Sequence, residues 1–110
     1  MRKLIEIAGG AVLAFVLVQS VPLDARDFHV RQIDRQFSVE ALDAGIGDEV
    51  EFWNDDKVVH NILSRSPVQP FDLGSQKPGD VLRIRLAAAG EIKVECAIHP
   101  RMKMTIAVAR

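Results

Sequence analysis

The chain is 110 residues long, with 14 Lys and Arg against 15 Asp and Glu and a formal charge of −1. That length accommodates one domain. The balanced, scattered charge offers neither the basic field that nucleic acid requires nor a block aimed at an anionic membrane. A single cysteine rules out an intramolecular disulfide.

Residues 1–25 read as a signal peptide. Arg2 and Lys3 precede an apolar run from Ile7 to Val18, shorter than the roughly 20 residues needed to span a bilayer. Ser20 and Ala25 both offer small-residue cleavage points, and Ala25 is preferred because strand-like sequence begins just after it. An uncleaved N-terminal anchor is the alternative. Residues 26–110 then form the exported domain, expected in a bacterial periplasm with no membrane span once the signal is removed.

From Arg26 onward the pattern is β, without a helical stretch. Phe28–Gln32 is predicted as an edge strand, and Phe37, Val39 and Ala41 alternate with their neighbours as a second. Asp43–Asp48 carries Gly45 and Gly47 and reads as a turn. Val50–Asn54 is a strand, Asn54–Lys57 a turn, and Val58–Ile62 another strand. Pro67, Pro70, Gly74, Pro78 and Gly79 make Ser64–Asp80 a connecting loop, with a short strand at most near Phe71–Leu73. Val81–Leu86 sets Leu82, Ile84 and Leu86 on an apolar face opposite Arg83 and Arg85. Ala87–Gly90 is a turn. Glu91–Cys96 alternates so that Cys96 turns inward with Ile92 and Val94, and Met104–Ala109 is the last strand. Roughly six to eight short strands with frequent Gly and Pro turns predict an all-β fold, a small Greek-key β-sandwich, expected as a monomer.

The chemistry concentrates in Cys96-Ala-Ile-His99-Pro-Arg-Met102-Lys-Met104. A thiolate, an imidazole and a thioether on one short stretch match a blue-copper centre, which takes a trigonal Cys and two His with a weak axial Met. His60, in Val58-Val59-His60-Asn61, is the candidate for the second imidazole. Each residue also has a plainer reading. A free cysteine is commonly buried and inert, His60 suits a core histidine and His99 a loop residue, and His29 reads as a surface residue. Met102 and Met104 suit core packing, Met104 more so because it keeps register with Ile106 and Val108. Only the set is specific. Its softness favours copper over zinc, whose structural sites use several cysteines.

The pairing of His60-Asn61 with a later Cys-x-x-His-Pro-x-Met and a closing strand resembles the plastocyanin-like cupredoxins, and the ligand spacing is most similar to amicyanin. The stretch from His60 to Gly79 also resembles small methylamine-utilisation proteins of this type. The resemblance covers about Val50–Val108. It implies a cupredoxin-like domain holding one copper ion through His60, Cys96, His99 and Met102, with Asn61 bracing the cysteine loop. It further implies that the edge of His99 is the electron port, ringed by Ala97, Ile98 and Pro100. Arg101 and Lys103 beside the port read either as cations that steer an acidic partner or as two solvated loop charges. Three departures from the family stand out: Ala97 replaces the polar residue that often follows the cysteine, the domain after the signal is shorter than in well-known members so that an edge strand is expected to be missing, and the chain has no tyrosine.

The expected function is that of a one-electron carrier between periplasmic partners, such as a cytochrome c and a dehydrogenase or oxidase. A copper-binding or delivery protein is the alternative, and a metal-free interaction domain a third reading. Four protein ligands would leave no open position for substrate, so an enzyme is not expected.

Overall fold

Residues 90–109 supply the clearest case of sequence dictating structure. In β8 (Gly90–Cys96) and β9 (His99–Ala109), buried and exposed residues alternate with the pleat. The strands pair antiparallel with Ile92 opposite Ile106 and Val94 opposite Met104. These residues are almost fully buried, so a slip of one position would turn the whole set to solvent.

The computed structural model describes residues 23–110. Residues 1–22, the bulk of the expected signal peptide, lie outside the described residues. The described chain is all-β, with two sheets packed face to face. The first has the order β2 (Gln36–Phe37), β1 (Asp27–Ile33), β4 (Glu49–Asn54), β7 (Val81–Arg85). The second has the order β3 (Ala41–Gly45), β9, β8, β5 (His60–Ser64), β6 (Phe71–Gln76). β1 runs parallel to β4 and β3 parallel to β9, while the other neighbours are antiparallel. No helix of the described residues is long and apolar enough to cross a membrane.

Between the sheets lie Val30, Phe37, Val50, Phe52, Ile84 and Leu86 from one side, and Ile62, Ile92, Val94, Met104, Ile106 and Val108 from the other. Polar groups also join the layers. The Gln32 amide donates to Gln76 Oε1 at 2.9 Å, and Gln76 Nε2 donates to the Phe52 and Asp80 carbonyls at 2.7 and 2.9 Å. Both glutamines are fully buried, which holds the sheets in one register near the pole where the histidines lie.

Four expectations from sequence need correction. The alternation predicted to run from Phe37 to Leu42 is divided between the sheets. Phe37 is buried against Phe52, ring centroids 6.2 Å apart, whereas Val39 stays exposed. The Glu40 carbonyl then accepts the Thr105 amide at 3.0 Å and carries the chain across. Asp43–Gly45, expected in a turn, belong to β3, because pairing with Ala107–Ala109 of β9 satisfies their backbone. The loop after β5 contains a full strand, β6, which bends past Gly74 at a positive φ of 76° where β5 and β6 change register. β1 is not a bare edge: β2 covers its last residues, Gln32 and Ile33.

Candidate metal centre

β5, β8 and β9 bring His60, Cys96 and His99 to one pole of the sandwich. β5 starts at His60 after the Asn54–Lys57 turn, slightly later than the sequence suggests. Cys96 ends β8 and His99 begins β9, with only Ala97 and Ile98 between. Glu95 pairs with Lys103 but Cys96 pairs with His99, so Pro100, Arg101 and Met102 bulge from the ladder. Met102 still falls on the inward phase of β9, two residues before Met104, and both are buried. Met102 thus lies within β9 and not on a connecting loop.

Three donor atoms converge. His60 Nδ1 and His99 Nδ1 are 3.1 Å apart, and Cys96 Sγ lies 3.7 and 3.6 Å from them. A triangle with such sides has its corners about 2 Å from its centre, the length of a metal–nitrogen bond. His60 is fully buried, Cys96 nearly so, and the His99 ring is half-buried beside exposed Ala97, Ile98 and Pro100. His29 lies elsewhere, on the outer face of β1, paired with Glu51 at 3.1 Å.

The surroundings orient the donors. Asp56 Oδ2 lies 2.9 Å from His60 Nε2. Burial works against the Asp56 charge, but the Arg35 and Lys57 amides and His60 outweigh it and bring its pKa down to about 2. A carboxylate only accepts, so His60 donates through Nε2 and presents the bare Nδ1 lone pair to the other donors. Burial, His60 and Arg35 lower the pKa of His99, more than Asp56 raises it, which favours the neutral imidazole that a metal requires. The Asn61 amide donates to Cys96 Sγ at 3.3 Å, and the Ala97 amide donates to the Asn61 carbonyl at 3.0 Å.

Asn61 thus braces the cysteine loop through its main chain. Its side chain turns away and donates to Asp72 Oδ1 at 2.9 Å. Asp56 was not identified from sequence, where it reads as one of several polar turn residues. Its place four residues before His60 is the only signal the sequence offers.

This donor set fits one copper ion of the type 1 class: two imidazoles and a thiolate in a plane, with a buried thioether on the same segment. The comparisons agree. No family model matches the chain. It is 33% identical over 99 residues to the methylamine utilization protein MauL of Methylorubrum extorquens, covering 88% of this chain and 87% of that one. Its fold is similar to a purple cupredoxin from Nitrosopumilus maritimus (TM-score 0.67, 22% identity, 74% of this chain and 99% of that one). It is also similar to a Cu(I) amicyanin variant (TM-score 0.70, 19% identity, 74% of this chain and 81% of that one). Two sheets with a His–Cys–His pole define the cupredoxin class. Within it, the chain belongs to the plastocyanin-like cupredoxins, in the family of MauL.

Proposed function

We propose that this chain is an exported type 1 copper protein that carries one electron at a time between periplasmic redox proteins. His60, Cys96, His99 and Met102 would hold the metal. Copper so bound supplies a one-electron couple through its thiolate bond. The observation that carries the reading is the graded exposure of the ligands: His60 and Cys96 are sealed, while His99 alone reaches the surface through an apolar collar.

The protein's part is to hold its donors still. Asp56 fixes the His60 ring, the Asn61 amide points at the sulfur, and the paired strands β5, β8 and β9 leave the ligands little freedom to rearrange between oxidation states. Four protein donors would leave the metal no open position for substrate, which argues against an enzyme. The compact single set, without a run of exposed methionines or histidines, argues against copper delivery. The similarity to MauL, a methylamine utilization protein, favours a partner in methylamine utilization. The reading 1–25 signal peptide, 26–110 domain is part of the proposal.

The visible spectrum of the Cu(II)-loaded protein beside Cys96→Ser tests it. An intense blue thiolate band lost in Cys96→Ser is expected. A colourless loaded protein would overturn the electron-carrier reading.

A further inference from the structure

A groove of about 610 Å³ opens beside His99. One wall is β9, with His99, Arg101 and Lys103, and the other is the β1–β2 hairpin with Arg35 and Phe37, while Glu40 contributes the carboxylate among the lining residues. Most of the arginines elsewhere on the described surface are engaged. Arg26, Arg31, Arg65, Arg83 and Arg85 each lie against a carboxylate of this chain. Among the described residues, three arginines have no such partner, Arg35, Arg101 and Arg110, and the first two line this groove.

Arg35 is also held in an unusual way. Asp34 and Arg35 both adopt positive φ, 53° and 58°, in a tight hairpin turn where Asn-Gly is the favoured pair. Two ordinary residues in this conformation cost free energy, so something must secure them. The Arg35 amide donates to Asp56 Oδ2 at 2.8 Å, the oxygen that also meets His60 Nε2. The turn is thereby fastened to the frame of the metal centre, and the arginine side chain is left exposed beside His99.

We propose that the β1–β2 turn is the second wall of the docking surface, and that the groove receives a carboxylate-bearing segment of the redox partner between Arg35 and Arg101. The inference rests on the electron-carrier reading and names the chemistry of the partner's contact. An acidic segment satisfies both unpaired guanidiniums, a geometry in which arginine binds carboxylates through paired N–H donors. Seating it there brings the partner over the half-exposed edge of His99. Steering therefore involves three cations from two walls, where the sequence identified only Arg101 and Lys103 on one.

The test is an amide NMR titration of the Cu(I)-loaded protein with hexaglutamate, with hexalysine and inorganic phosphate as controls. Hexaglutamate is expected to move the amide signals of Arg35, Gln36, His99, Arg101, Met102 and Lys103. Arg35→Glu should weaken its binding about tenfold through charge reversal, and Arg35→Lys should keep most of it. Unchanged binding in Arg35→Glu would overturn the proposal, as would equal shifts from phosphate, which would mark a small-anion site. Concentration-dependent shifts at these residues without peptide would also overturn it, by making a second copy the occupant. The blue band is read separately, so loss of the copper reading and loss of the docking reading are distinguishable.

Discussion

Asp56 Oδ2 lies 2.9 Å from His60 Nε2 and 2.8 Å from the Arg35 amide, so a single oxygen orients a ligand ring and fastens the turn beside the port. Carboxylates placed behind ligand histidines fix ring orientation and tautomer. Asp56→Ala is therefore expected to lower copper affinity about tenfold to a hundredfold, measured by competition with a chelator of known strength. Unchanged affinity would mean that packing alone orients His60.

Met102 and Met104 share the inward face of β9, but only Met102 lies in the bulge that follows His99. Met102→Gln is expected to shift the visible spectrum and the reduction potential of the copper protein. Met104→Leu, a volume-conserving change at a position paired with Val94, should cost less than about 1.5 kcal/mol and leave the spectrum alone. A spectral change from Met104→Leu and none from Met102→Gln would exchange their roles.

Gly90, where β8 begins, has φ of +136°, and a Cβ there would stand 2.6 Å from Val68 Cγ2. Gly90→Ala therefore meets both a strained backbone and a clash, and should destabilise by about 1–3 kcal/mol in denaturant unfolding. Adding Val68→Ala relieves the clash and not the backbone strain, so rescue should be partial. Full rescue would assign the whole cost to Val68.

Asp48 is buried, and its carboxylate accepts the Arg26 and Gly45 amides, both at 2.8 Å. Burial pushes its pKa up, but these amides and the Arg26 guanidinium outweigh it and lower the pKa below the usual aspartate value. The stabilisation is thus present in full above about pH 4 and is lost as the pH falls through the lower, folded-state pKa. Asp48→Asn should lower the melting temperature at pH 7 and flatten its acid dependence. An unchanged acid limb would remove Asp48 from the account.

The convergence of His60, Cys96 and His99 was legible in the sequence because a soft donor set at fixed spacing has few alternative uses. β7 and β8 were legible because each alternates cleanly over a half-buried sheet. Phe37 and Leu42 were not separable, since a two-residue period continues unbroken even though the chain changes sheets between them. β6 was hidden by Gly74 and the surrounding prolines, which mark a bent edge strand as readily as a loop. Asp56 and Arg35 could not be paired from sequence, because their contact depends on the β1–β2 turn reaching the β4–β5 turn across 21 residues. The main-chain role of Asn61 was obscured for a related reason: residue identity says nothing about where a backbone amide points.

β9 supplies His99 and Met102 at one end and pairs with β3 at the other, where Leu42 partners Ile106 and Ala44 partners Val108. During synthesis the ribosome releases β3 long before β9. The early strands must therefore wait, partly unsatisfied, until the segment bearing the thiolate and second imidazole has emerged. Closing the sheet and completing the copper pocket are then the same late event, so a truncated or stalled chain would hold neither a finished sandwich nor a metal.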